Sequence, residues 1–409
     1  MQATADGHAS APGQVTLLFT LSGLDRPGVT MTLFETLASH PVTVLDIEQL
    51  VVRGSLILAV LVGVSGDDQE IARTRRAVRQ AAAELDMDVQ TVVGAGEDDE
   101  RRRNRIHITV LGAPLRPVAI AAMAKEIADR GGNIDRIRRI ASYPVTALVL
   151  EGSGVAASDL RRPLAEVAAA HGADVAVQQA ALDRRGQYLV VMDVDSTFIQ
   201  DEVIDLLADE AGVMDDVARI TEEAMAGKLD FEQSLRARVA LLEGLPVSAI
   251  DTVRDRITLT PGARTLCRTL QRLGYRIALV SGGFHEVIDP VAADLGVDQV
   301  RANRLEVADG RLTGRVVGQV VDRVGKRRAL EEIALDYGIP ARRTIAIGDG
   351  ANDIDMLEAA GMGVAFNAKA AARAAADTSV NVPYLDSVLF LLGITREEIE
   401  VADEGDDEG

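Results

Sequence analysis

Tyr188-Leu189-Val190-Val191-Met192-Asp193-Val194-Asp195-Ser196-Thr197 decides how the second half of this chain folds. An apolar run ends abruptly on an aspartate. Arg276-Ile277-Ala278-Leu279-Val280 ends in the same way on Ser281, and Thr344-Ile345-Ala346-Ile347 leads through Gly348 to Asp349. Short β-rich runs separated by helical segments predict a parallel sheet covered on both faces, hence an α/β fold. Ligands of such sheets bind beyond the carboxyl ends of the strands. Three polar residues at three strand ends therefore predict a single site.

The chemistry of these ends is specific in different degrees. Asp193 and Asp195, two apart at a strand exit, can both face the crevice, one attacking phosphorus while the other moves protons. An Asx-rich turn capping the next helix explains the same residues equally well. Ser281-Gly282-Gly283 offers a hydroxyl and approachable backbone N–H groups to a phosphate, although an ordinary strand-to-helix turn has the same composition. Gly348-Asp349-Gly350-Ala351-Asn352-Asp353 is sharper, because carboxylates four apart amid small residues suit a hard divalent cation. Lys326 lies between these motifs in the chain, where a cation can pair with the nucleophile and a transferring phosphoryl group.

Taken in order, Asp-x-Asp-x-Thr, Ser, Lys and Asp-x-x-x-Asp resemble the four motifs of the haloacid dehalogenase-like hydrolases. That resemblance implies a Rossmann-like core, a phospho-aspartyl intermediate and Mg2+. It makes Asp193 the nucleophile and Asp195 the general acid/base, with Ser281 and Lys326 on the phosphoryl group. Asp193, the backbone carbonyl of Asp195 and Asp349 would hold the metal, and Asp353 would position that shell. A dianionic phosphate repels a carboxylate nucleophile unless cations screen it.

About 60 residues, Asp201 to Thr260, separate the first motif from the next strand region and read as helices. An insertion there forms a cap that excludes water and selects the substrate. The stretch from Ile220 to Val239 resembles the cap of phosphoserine phosphatases, as do Asp193 to Glu202, Ser281 to Phe284, Ala302 to Leu305 and Gly348 to Asp353. By that resemblance the substrate is O-phospho-L-serine. Glu202 takes its ammonium and Arg238 its carboxylate, Met225 and Phe231 line the apolar side, and Gly282 and Asn352 lie near the phosphate. His285 has no part in this machinery.

The first half reads twice as strand, helix, strand, strand, helix, strand, a duplication of βαββαβ units. Gly23-Leu24-Asp25-Arg26-Pro27-Gly28-Val29 resembles the ligand loop of ACT domains, small ferredoxin-like modules that bind amino acids at paired interfaces. Gly23, Asp25 and Gly28 are its candidate ligand residues. The second unit keeps Gly112 in the first glycine's place, but Leu111 to Val118 lacks the Asp-Arg pair and the second glycine. The expected domains are 14–94 and 105–182 (ACT), 185–395 (phosphatase, cap about 201–260) and an acidic disordered tail at 396–409, with 97–103 a solvated linker.

Bulk properties bound the rest. The chain has 409 residues, 47% of them hydrophobic, with a net charge of −20 and one cysteine, Cys267. That charge argues against nucleic acid and anionic membranes as partners, and a single cysteine excludes an intramolecular disulfide or a thiolate zinc cluster. With no leader-like or spanning segment, a cytoplasmic enzyme is expected. Paired ACT modules imply a homodimer, with L-serine as product and effector. The alternatives are phosphotransfer to a hydroxyl amino acid and a non-catalytic amino-acid sensor.

Overall fold

The computed structural model describes residues 15–95, 105–180 and 188–407, so the charged segment 97–103 lies outside the described residues. The chain divides into two compact units, Met1–Arg101 and Arg102–Gly409. In the first, β1 (Val15–Leu24), α1 (Val29–Ala38), β2 (Val42–Val52), β3 (Ser55–Val64), α2 (Asp68–Glu84) and β4 (Asp88–Ala95) follow one another. The strands pair antiparallel in the order β2-β3-β1-β4. Period-2 burial puts Leu17, Phe19 and Leu21 of β1 on the helix-covered face, where α1 sends Val29, Leu33 and Leu37 at helical spacing. Arg53 and Gly54, both at positive φ, close a two-residue hairpin between β2 and β3.

The second unit opens with the same plan. β5 (Ile106–Gly112), α3 (Pro117–Asp129), β6 (Asn133–Ala141), β7 (Thr146–Ser153), α4 (Ala157–Ala170) and β8 (Asp174–Gln179) form a sheet of order β6-β7-β5-β8. The repeated strand order matches the duplication read from the sequence.

After β9 (Leu189–Met192) come four cap helices, α5 (Val203–Ala211), α6 (Met214–Met225), α7 (Phe231–Ala240) and α8 (Ser248–Arg256). The chain then returns to the sheet through α9 (Ala263–Arg272), β10 (Arg276–Phe284), α10 (His285–Asp294) and the hairpin of β11 (Gln299–Ala308) and β12 (Arg311–Val317). α11 (Arg323–Asp336), β13 (Thr344–Gly348), α12 (Ile354–Ala359), β14 (Met362–Phe366), α13 (Ala370–Ala375), β15 (Thr378–Val380), α14 (Val388–Leu391) and α15 (Arg396–Asp407) complete it. The seven-stranded sheet has the order β12-β11-β10-β9-β13-β14-β15, with only β12 antiparallel. Central strands are apolar at every position because both faces are covered. Val190 and Met192 face one core cluster, Leu189 and Val191 the other.

β8 packs on the β15 edge of this sheet. Thr378 Oγ1 donates to the Val175 carbonyl at 2.8 Å, and the buried Asp174 carboxylate accepts from the Asn381 backbone and side chain. Burial raises the Asp174 pKa despite those bonds. None of the described helices is long and apolar enough to cross a membrane.

The structure overturns the reading of 396–409 as a disordered tail, because residues Arg396–Asp407 form α15. Thr395 and Glu398 make reciprocal bonds, Glu398 N donating to Thr395 Oγ1 and Thr395 N to Glu398 Oε2, which cap its first turn. Ile399 is 1% exposed in the core. Arg268 and Arg272 of α9 both donate to Asp403. One buried anchor and two cross-links outweigh an acidic composition. Ile399→Ala should therefore lower the unfolding free energy by about 2–4 kcal/mol, whereas Val401→Ala, exposed on the same helix, should change it by less than about 0.5 kcal/mol. Equal losses in denaturant titrations would show the helix undocked.

Candidate active site

The chain leaves β9, passes to β10 on one side and later to β13 on the other, so the sheet switches direction between β9 and β13. Asp193 follows β9 and Asp349 follows β13, at the position where such sheets bind ligands. Asp193 N donates to the Ile347 carbonyl at 2.9 Å and holds the two strand ends together.

Val194–Phe198 form one wide turn with Ser196 at φ 59°, left-handed backbone that a non-glycine residue rarely adopts. The turn-and-cap reading of Asp195 is visible in its hydrogen bonds. One carboxylate oxygen accepts from Val203 N at 2.8 Å at the start of α5, and the other accepts from Ser281 Oγ at 2.9 Å. Ser281 Oγ also accepts from Gly283 N at 2.7 Å. The sequence suggests a turn at Ser281-Gly282-Gly283, but β10 runs on to Phe284, its register with β11 shifting between Val280 and Phe284. A Cβ at Gly283 would lie 3.2 Å from the Asp195 carboxylate, so glycine lets the strand close on it.

Lys326, in the first turns of α11, is 1% exposed. Its ammonium donates to Asp193 Oδ1 at 2.5 Å and to Asp353 Oδ1 at 2.7 Å. Burial alone would lower its pKa, but Asp193 and Asp353 outweigh burial and hold it above its ordinary value. Asp193 is itself pushed well above the usual carboxylate range, by burial and then by the charge of Asp353, in spite of Lys326. The charge of Asp353 contributes to both shifts. Asp353 accepts from Gly350 N at 2.9 Å with its second oxygen. A Cβ on Gly348 would lie 2.5 Å from that carboxyl carbon, which makes the glycine obligatory.

Carboxylate oxygens of Asp193, Asp349 and Asp353 lie within 4.8 Å of one another. Burial and the Asp353 charge raise Asp349 as well. An all-oxygen donor set carrying surplus negative charge fits a hard divalent cation. Both Asp353 oxygens already accept hydrogen bonds, which leaves Asp193 and Asp349 as the freer carboxylates.

The cap brings the substrate candidates over this centre. Glu202, just before α5, accepts from Ser196 Oγ at 2.9 Å. Burial and the Asp195 charge push it up to about 7, although solvent reaches its exposed side chain and screens that push. Burial lowers Arg238 of α7, while Asp205, Glu202 and Asp195 act in the opposite direction. A Cβ on Gly282 would meet the Phe231 ring at 3.0 Å, so the first residue of α7 closes on the Ser281 strand end. The Asn352 amide folds over Gly350, lying 2.2 Å from where a Cβ there would sit. Met225 ends α6.

Sequence reasoning gave no role to Asn303, which is 1% exposed. Its amide donates to the Gly282 carbonyl and accepts from Val321 N, both at 2.8 Å, tying the β10 end to the segment before α11. β11 also carries Gln299, Arg301, Arg304 and Glu306, so no pattern in the sequence singles this amide out, although a buried amide must be bonded. His285 accepts from Ala302 N at 3.2 Å and bonds Asp289, away from the carboxylate cluster.

The other candidate loop lies at the β1–α1 connection. Gly28, at φ 98°, precedes α1, and Asp25 N donates to the Gly54 carbonyl. Gly23 packs on Met87, which a Cβ would meet at 2.5 Å. Gly112 packs on Leu115 in the same way, and Pro117 at the start of α3 lacks an N–H to offer.

Residues 190–358 match the haloacid dehalogenase-like hydrolase family, and residues 15–92 and 106–178 match ACT domain families. A phosphoserine phosphatase of Streptomyces coelicolor is 56% identical over 393 residues, covering 95% of this chain and 94% of that protein. One of Mycobacterium tuberculosis is 50% identical over 397 residues, with 97% of each chain covered. The crystal structure of a probable phosphoserine phosphatase from Vibrio cholerae, in unliganded form, superposes with a TM-score of 0.59 at 36% identity, covering 72% of this chain and 88% of that one.

Lys326→Met should cost about 3–5 kcal/mol at pH 8, because it leaves two buried carboxylates uncompensated. The raised pKa of Asp193 fixes the sign of the pH dependence. A carboxyl raised on folding takes up a proton, so its penalty grows as pH rises and shrinks as pH falls. Denaturant unfolding should show a smaller loss at pH 5.5 than at pH 8. A pH-independent loss would mean that only the packing of the lysine stem was removed.

Proposed function

This chain belongs to the phosphoserine phosphatase family of the haloacid dehalogenase-like hydrolases, and we propose that it hydrolyses O-phospho-L-serine to L-serine and phosphate through a phospho-aspartyl intermediate on Asp193. One observation carries the substrate assignment: a guanidinium, Arg238, within electrostatic reach of the Glu202 carboxylate and of Asp195, lies beside a buried Asp–Lys–Asp centre. An amino acid phosphorylated on its side chain presents an ammonium, a carboxylate and a phosphate to those three charges.

Asp193 attacks the phosphorus through a carboxylate oxygen, and the bond from phosphorus to the serine oxygen breaks. Asp195 gives that oxygen its proton. Asp195 then takes a proton from the water that attacks the phospho-aspartate, releasing phosphate and restoring Asp193. Lys326 offsets negative charge on the phosphoryl oxygens, Ser281 and the N–H groups beside it hold them, and Phe231 against Gly282 keeps bulk water out. Mg2+, held by Asp193, Asp349 and the Asp195 carbonyl and steadied by Asp353, would lower the repulsion between the carboxylate and the phosphate when bound. Asn352 completes the pocket beside the phosphate.

The ACT loops give the enzyme a regulatory ligand. By the resemblance to ACT ligand loops, Gly23, Asp25 and Gly28 take an amino acid such as L-serine against the start of α1, with Gly112 the corresponding position of the second unit. Pairing of these modules makes the enzyme a homodimer, and it works in the cytoplasm.

In a phosphate-release screen with Mg2+, phosphoserine should exceed phosphothreonine and sugar phosphates, and Asp193→Asn should lower kcat by at least about 10^4-fold while leaving the melting temperature within a few degrees. Equal rates across the panel would sink the serine assignment. Arg238→Ala should raise KM for phosphoserine by about 100-fold but spare an aryl phosphate that has no carboxylate. Because Glu202 must be ionised to receive an ammonium and its pKa is raised to about 7, kcat/KM for phosphoserine should fall as pH drops through that range. In Glu202→Gln that limb should vanish, and its persistence would assign the limb to another group. Asp25→Ala should weaken the response of activity to added serine without changing the rate in its absence. An unchanged response would place serine at the active site as bound product.

A further inference from the structure

β14 runs parallel to β13, so the turn after β14 lies at the same end of the sheet as the carboxylate cluster. Asn367 leaves β14 at φ 44°, left-handed backbone that a residue with a side chain rarely adopts, and its N–H donates to the Val380 carbonyl at 2.9 Å. Two residues on, just before α13, Lys369 N donates to the Asp349 backbone carbonyl at 3.0 Å. This lysine is therefore bonded directly to a member of the cluster, yet it belongs to none of the four motifs read from the sequence.

Its side chain brings a second ammonium to the site. Lys369 is exposed, whereas Lys326 is buried between Asp193 and Asp353. Solvent weakens the field of an exposed charge. Burial and the Asp353 charge raise Asp349, and Lys369 opposes that rise more strongly than Lys326 does. For an exposed charge to outweigh a buried one, its ammonium must lie nearer to the Asp349 carboxylate.

A cation there acts on the two partners of the site in opposite directions. Asp193, Asp195, Glu202, Asp349 and Asp353 outnumber Lys326 and Arg238. That surplus attracts a divalent metal and repels a phosphate dianion. We propose that Lys369 is a further functional residue of the site, a cation at its rim that strengthens binding of the phosphate group and weakens binding of the divalent metal at Asp349. The inference rests on the phosphatase reading of this site.

Lys369→Met, with Lys369→Arg as the variant that keeps the charge, tests this on the full chain. Both retain the backbone N–H that bonds Asp349. In calorimetry with Mg2+ alone, Lys369→Met should bind the metal at least about threefold more tightly than the wild type. At saturating Mg2+, the KM for phosphoserine and the inhibition constant of inorganic phosphate should each rise at least about threefold, while kcat changes by less than about twofold. The difference in KM should shrink in about 0.5 M salt. Lys369→Arg should stay within about twofold of the wild type in each constant. Metal and phosphate affinities that move in the same direction, that do not move, or that move equally in both variants would overturn the role of Lys369. If phosphoserine were not turned over, the serine assignment alone would fail, because the Mg2+ titration and the inhibition of aryl phosphate turnover by phosphate would still decide that role.

Discussion

The placement of one ammonium group organises the catalytic unit. Lys326 is nearly fully buried between Asp193 and Asp353, and a charge in that position is tolerated only when its partners are fixed and bonded. The lysine and its two partners come from three places, the start of α11, the end of β9 and the turn after β13. They meet only if β9 lies between β10 and β13, which is the observed strand order. The triad is not neutral. Burial first, and then the charge of Asp353, raises Asp193 and Asp349 together, and two carboxylates against one ammonium leave negative charge beside Asp349. The same imbalance that strains the folded state prepares the site for a divalent cation.

Around that centre, close approach is achieved by leaving side chains out. Gly348 lets the Asp353 carboxyl group reach Lys326, Gly283 lets β10 close on Asp195, and Gly282 admits Phe231 from the cap. Asn303 then fixes the separation between the Ser281 strand end and the start of α11, using both ends of its amide. Ser196 makes the opposite compromise. It accepts a left-handed backbone, and its hydroxyl reaches Glu202, linking the nucleophile turn directly to the residue proposed to read the substrate's ammonium.

The sequence made the centre of the sheet legible because those strands are buried on both faces and end in functional residues. β9, β10 and β13 stand out as apolar runs for that reason. The outer strands β11, β12, β14 and β15 do not, since they are short, partly exposed or glycine-containing, and their strand character comes from pairing. Asp195 could not be divided between cap and catalyst from sequence; one of its oxygens caps α5, and the other accepts from Ser281. Local patterns also competed. The acidic composition of 396–409 suggested disorder, whereas Thr395, Glu398 and Ile399 carried a cap and an anchor for α15 that composition conceals. Tertiary features such as the Asn303 bonds and the packing of β8 on β15 depend on contacts between residues far apart in the chain, which periodicity does not report.

The two ends of the catalytic strands differ in what they can transmit. Their carboxyl ends hold groups in fixed hydrogen bonds, where a small displacement is costly. Their amino ends meet β8, through Thr378 on the Val175 carbonyl and the Asp174 carboxylate on Asn381. Asp174 is buried and raised in pKa, so its bonds to Asn381 are needed to hold the charged form there, and separating β8 from β15 would leave a desolvated carboxylate unsatisfied. This seam resists gradual loosening and favours a docked arrangement. The seam borders the strands that carry the carboxylate cluster rather than the cap, so separating β8 from β15 would disturb the sheet before it reached the cap.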